Sequence, residues 1–180
     1  MIWALYIGGG IVGGILGLVL LFMLVGACLP KEHHATVGAR FAASPEKIWA
    51  IVSDFAATPS WNPLVKKVER LPDKDGHEVW REDLTGGPPM VLTTVESVPS
   101  RRQVRKIDDT KAMFTGGWTW ELTPDGSGTR VTVSEDAAVP FPLFRFMVRL
   151  FGTDTYLKKY LVGLAKKLGE PGAKVETLAK

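Results

Sequence analysis

The chain has 180 residues, with 22 Lys and Arg against 19 Asp and Glu, a formal net charge of +3. Glycine (19) and proline (12) follow no period and there is one cysteine, which excludes a collagen-like repeat and a disulfide-stapled scaffold. Residues 1–30 carry no charged side chain, so the sequence divides into an apolar leader and a body long enough to bury one core.

The leader is apolar or Gly from Ile2 to Leu29. As a helix of about 1.5 Å rise per residue it would reach about 42 Å, enough for a bilayer core of about 30 Å. No Lys or Arg precedes the apolar run, which argues against a cleaved signal peptide. Val25-Gly26-Ala27-Cys28 loosely resembles a lipobox, but the basic flank is missing there too. The expectation is an uncleaved single-pass anchor over 1–30. Trp3 and Tyr6 suit a headgroup belt, and Lys31 and Arg40 after the span favour a cytoplasmic body. Gly9, Gly13 and Gly17 are spaced by four, a pattern that lets two membrane helices approach, so a homodimer through this face is one reading. The other is ordinary glycine tolerance in a membrane helix.

Residues 31–35 read as a linker, and Thr36–Phe41 as a strand with Val37, Ala39 and Phe41 on one face. Ser44-Pro45-Glu46 starts a helix, with Ser44 as cap and Ile48, Ile51, Val52 and Phe55 as its apolar stripe. Asp54 to Pro63 is broken, and Thr58 or Ser60 could cap a short second helix. Strands are expected near Val65–Leu71, His77–Leu84, Met90–Val98, Gln103–Ile107, Gly117–Leu122 and Thr129–Ala137, separated by Gly/Pro/Asp turns. Phe144, Met147 and Phe151, then Leu157, Leu161, Leu164 and Leu168, form a helical stripe that Gly152 can kink or interrupt; Gly169 and Pro171 end it, leaving 171–180 as a tail. The fold class is therefore α+β: a curved antiparallel sheet wrapped around a long C-terminal helix, preceded by one transmembrane helix. Such a sheet must bury one face, and its fit to a helix often leaves an apolar cavity.

Ser44-Pro45-Glu46-Lys47-Ile48-Trp49, Asp54-Phe55 and Trp61-Asn62-Pro63 resemble the opening of the SRPBCC, or START-like, superfamily. Gly117-Trp118-Thr119-Trp120-Glu121-Leu122 and Gly128-Thr129-Arg130-Val131-Thr132-Val133-Ser134-Glu135 resemble the last two strands of its polyketide cyclase/dehydrase and lipid-transport branch. The resemblance spans about residues 36–170. It implies the helix-grip fold and a hydrophobic small-molecule ligand such as a lipid, quinone, sterol or polyketide. Only some members catalyse a reaction.

The residues supply candidates for such a ligand site. Trp61 could line a cavity mouth and Asn62 offer its amide, although Asn-Pro is also ordinary turn chemistry. Trp118 and Trp120 alternate on one strand face and suit a flat apolar wall, or plain core. Phe144, Met147 and Tyr156 would complete the walls from the final helix, where Tyr160 reads as packing. Arg81 and Asp83 share one face with Val79, Trp80 and Glu82 the other, and the pattern leaves the inward face open. Arg81 is the polar ligand candidate. Glu135, Asp83 and Tyr156 are the acid/base candidates for the alternative reading, a cyclase or dehydratase. A third reading is a membrane-tethered interaction module.

His33, His34 and His77 lie outside the expected core, so no nucleophilic triad, metal site or cofactor is expected. Residues 141–180 hold eight basic and three acidic side chains, against 14 and 16 in 31–140, so the end of the chain is a basic amphipathic element facing solvent or an anionic leaflet. Basic and aromatic residues are not interleaved on one strand face, which argues against nucleic acid.

Overall fold

The computed structural model describes residues 2–108 and 114–178. Helix α1 (Ile2–Cys28) is one unbroken apolar rod. Its segment Tyr6–Cys28 is long and apolar enough to cross a membrane by length and composition. It is followed by β1 (Glu32–Phe41), α2 (Pro45–Val52) and a 3-10 turn over Phe55–Ser60. A run of six strands comes next: β2 (Val65–Lys74), β3 (His77–Leu84), β4 (Met90–Val98), β5 (Arg102–Ile107), β6 (Thr115–Asp125) and β7 (Gly128–Ala138). Two helices, α3 (Pro142–Phe151) and α4 (Thr155–Leu168), and a short β8 (Val175–Thr177) complete the chain.

The strands form one antiparallel sheet in the order β2-β3-β4-β5-β6-β7-β1-β8. The six-strand run is a meander, as the turn spacing predicts, and the first strand closes against the last of them. Two boundaries move. β1 starts at Glu32, so the expected linker 31–35 is largely strand, with His33 opposite Ala137 and Ala35 opposite Glu135. The expected tail contains β8, which pairs with β1 from Val37 to Ala39. Both extensions add ladder hydrogen bonds that single-strand periodicity does not reveal.

Local chemistry explains the helix starts. The Ser44 side chain accepts from the Lys47 N–H, and Pro45 occupies the first turn of α2. The 3-10 turn is capped by Asp54, which accepts from the Ala57 N–H at 3.2 Å. Thr58 and Ser60, the expected caps, lie inside it. The expected long final helix is two helices, because Gly152 interrupts it with φ 89°.

α4 supplies most of the cover of the sheet, and Ile48 and Val52 of α2 join the same core. Leu157, Leu161, Leu164 and Leu168 are buried against Val37, Val131, Val133, Trp120 and Leu122. Each such leucine gains about 1.5–3 kcal/mol by leaving water. Gly163 lets α4 approach the Trp61-Asn62-Pro63 turn: a Cβ there would sit 2.6 Å from the Trp61 carbonyl oxygen. Gly163→Ala is therefore expected to cost about 1–3 kcal/mol by overpacking, more than the helix propensity of about 1 kcal/mol that Ala brings. An unfolding midpoint that does not fall would show that the turn yields freely.

α3 turns away from the sheet and packs on α1. Phe22 and Phe146 stack at 4.4 Å, and a Cβ on Gly26 would meet the Pro142 carbonyl oxygen at 1.9 Å. The Arg145 guanidinium donates to the Leu29 carbonyl at 2.7 Å. The leader is thus docked onto the body at its C-terminal end. Along its free length Gly9, Gly13 and Gly17 have nothing within 4 Å.

Candidate functional site

The register decides which strand residues face α4. Cross-strand partners share a face, so Glu135 of β7, Trp118 of β6 and Arg105 of β5 form one row, and Val133, Trp120 and Gln103 the next. Arg105 is opposite Thr94 on β4. On β3 the inward residues include Trp80 and Glu82. Trp80 meets Phe55 of the 3-10 turn edge-on at 5.7 Å, and Glu82 is buried. Arg81 and Asp83 pair with each other at 3.1 Å on the outer face, both well exposed. This corrects their place among the candidates: neither reaches the interior.

The interior contains a polar cluster. Arg105 donates through Nη1 to Glu82 Oε1 at 2.5 Å, with both side chains under a tenth exposed. The Arg105 guanidinium lies over the Phe55 ring, 4.0 Å from its centroid. Tyr160 of α4 projects into the same region. Burial, and next the Glu82 charge, push its phenol well above the usual value, while Arg105 and the Asn62 amide act in the opposite direction. Tyr160 therefore stays a neutral hydroxyl and a potential donor. Its ring is held edge-on by Trp61 at 5.1 Å and by Trp120 at 5.0 Å.

Asn62 has a divided role. Its Oδ1 accepts from the Leu64 N–H at 3.0 Å, which fixes the turn before β2. Its Nδ2 is buried beside the Tyr160 hydroxyl and makes no hydrogen bond of good geometry among the described residues. Thr58 Oγ1, Trp61 Nε1, Thr94 Oγ1, and Arg105 Nε and Nη2 are buried without a hydrogen-bond partner among the described residues. Each buried polar group left unpaired costs about 1–3 kcal/mol. These atoms, all able to donate, belong to Arg105, to Thr94 opposite it on β4, and to the Thr58–Asn62 segment that meets α4 at Gly163.

A second polar set lies on the same face of the sheet, two strands from Arg105. Glu135, 8% exposed, accepts from Trp118 Nε1 and contacts His33 Nε2, each at 2.8 Å. Its inward position follows from alternation with Val131 and Val133. His33 is a correction, since it lies on β1 within the fold and not in a linker. His34, on the opposite face, contacts Asp136 at 2.6 Å. Among the described residues no three His, Cys, Asp or Glu side chains are grouped to hold a metal ion.

The expected helix walls change as well. Tyr156 is 62% exposed at the start of α4 and Met147 is exposed on α3. Phe144 is also on α3, where it stacks on Phe114 at 6.2 Å; Phe114 in turn meets Trp118 at 6.4 Å. Phe144 thus touches the site through this relay. Glu82, Arg105, Thr94 and His33 lie outside the expected site, and Tyr160 is expected only to pack. The sequence holds one usable signal for Arg105: it alternates with Gln103 and Ile107 on a strand of the meander.

Residues 32–169 match the model of a family described as polyketide cyclase / dehydrase and lipid transport. No curated protein matches the sequence at a significant level. Among solved structures, the Zhui aromatase/cyclase from Streptomyces sp. R1128 superposes with a TM-score of 0.65 at 16% identity, covering 77% of this chain and 94% of that one. A START superfamily protein from Mycobacterium smegmatis gives a TM-score of 0.57 at 26% identity, over 76% of this chain and 98% of that one. A protein from Thermus thermophilus gives 0.61 at 18% identity, over 77% and 96%.

Proposed function

We infer a function from one premise: the chain belongs to the polyketide cyclase / dehydrase and lipid transport family. The fold is that of its START-like relatives, and the family suggests a hydrophobic small-molecule ligand. On that basis this protein is a membrane-anchored binding protein for an apolar molecule with an oxygenated end, held between the sheet and α4. The observation that carries this reading is the set of buried donors without acceptors at Arg105, Thr94, Thr58 and Trp61. A ketone, carboxylate or hydroxyl oxygen would satisfy them, while Trp61, Trp118 and Trp120 offer apolar contact to the rest of the molecule. α1 would hold the body at a pool of such ligands, with the body on the cytoplasmic side as Lys31 and Arg40 favour. A homodimer through Gly9, Gly13 and Gly17 fits the unoccupied face of α1.

The test is mass spectrometry of solvent extracts from the full-length protein in mild detergent. A stoichiometric, oxygen-bearing apolar molecule is expected. Thr94→Val replaces an unpartnered hydroxyl by a methyl of similar shape, so stability should hold while ligand affinity falls by up to about tenfold. An empty protein that is stably folded would reject the binding reading and favour an interaction module.

The part-buried His33–Glu135 contact favours a second reading, an enzyme of the cyclase/dehydratase type in which this pair moves a proton. Turnover of the extracted molecule that is lost in Glu135→Gln, with binding retained, would select it.

A further inference from the structure

We propose that the pocket at the root of α1 binds the headgroup of an anionic phospholipid. The inference rests on the membrane reading above and adds a lipid site that meets the ligand interior only at His33. The pocket has a volume of about 230 Å³ and lies where α1 hands over to β1, beside α3. Lys31, Arg145, Arg149 and His33 line it, with Glu32 the one acidic residue on its wall. Glu135 lies behind His33, to which it is hydrogen-bonded.

Arg145 is the central observation. It is 8% exposed, yet it forms no salt bridge among the described residues. Its Nη1 and Nη2 donate only to the carbonyls of Leu29 and Pro140, at 2.7 and 3.4 Å, and its Nε is buried without a partner. A buried cation is costly unless an anion balances it. A phosphate diester has two acceptor oxygens and one negative charge, which suits a guanidinium with an unused N–H.

Position selects a lipid as the source of that phosphate. The pocket wall includes Leu29 and Pro30, immediately after the last residue of α1. Headgroups lie at the ends of a spanning helix. Phe141, Leu150 and Phe151, in or beside the α3 helix that packs on α1, are about half exposed or more. Such a surface suits acyl chains below a headgroup, as in an interfacial helix.

The test uses full-length protein in nanodiscs of dioleoylphosphatidylcholine with or without dioleoylphosphatidylglycerol, followed by native mass spectrometry of retained lipid. Retention of phosphatidylglycerol over phosphatidylcholine is expected. Lys31→Glu with Arg149→Glu should reduce that preference by about tenfold or more. Lys31→Gln with Arg149→Gln should give a graded loss and controls for misfolding, while Arg145 stays intact because it holds α1. No preference in the wild type, or displacement of the lipid by millimolar inorganic phosphate, would overturn a lipid-headgroup site. Carbonate extraction tests the parent reading separately. Release from membranes would reject both readings, whereas retention without lipid preference would reject this one alone.

Discussion

Replacing Arg105 with methionine is expected to cost about 3–5 kcal/mol, because it leaves the Glu82 carboxylate buried without its partner. The two side chains meet at 2.5 Å and are 7% and 5% exposed. The guanidinium also gives up its place over the Phe55 ring. For a domain of this size the melting temperature should fall by about 10 °C or more. Adding Glu82→Gln removes the orphaned charge, so the double variant should regain most of the loss. It should nevertheless hold no ligand, since the donors at Arg105 are gone. Thermal unfolding and extract mass spectrometry on the same samples separate the two effects. A single variant that melts like the wild type would show that the pair is hydrated and contributes little. A double variant that still carries ligand would remove Arg105 from the binding site.

Trp120→Ala should be of similar size, at about 3–5 kcal/mol for a large aromatic deleted from a core. Trp120 is 5% exposed and packs edge-on against Tyr160. Its loss leaves a cavity beside the Tyr160 ring, whose hydroxyl lies in the polar cluster, so ligand affinity should fall together with stability. Trp118→Ala should be milder. That ring is only partly buried, and its indole N–H donates to Glu135. The two tryptophans alternate on one strand and look equivalent as a pair, but the sheet places one in the core and the other toward α3. Equal destabilisation by the two substitutions, measured by thermal melts, would contradict this distinction.

Much of the fold was legible because it depends on local signals. Turn residues spaced along the middle of the chain mark the meander, and Ser44-Pro45 marks the start of α2. Leu157, Leu161, Leu164 and Leu168 mark the covering helix. The candidate site was legible only in part. Trp61, Asn62, Trp118, Trp120 and Glu135 lie on or beside the interior. Arg81, Asp83, Met147 and Tyr156 do not, for two physical reasons. An alternating strand with charges on both faces does not say which face is inside, and a one-residue choice exchanges Arg81 for Glu82. A helical stripe does not say where the partner sheet ends. Tyr156 and Tyr160, one turn apart, therefore separate into an exposed and a packed residue.

By itself the sequence determined an apolar span of bilayer length, a single α+β body and the strand–helix order, since these follow from hydrophobic periodicity and turn chemistry within short windows. Tertiary structure alone decided that Arg105 reaches Glu82, that His33 meets Glu135 across 102 positions, and that α3 leaves the sheet to dock on α1. Those contacts join residues far apart in the chain. They depend on strand register, on the break at Gly152 and on the close approach at Gly26, where packing geometry rather than local preference determines which atoms meet.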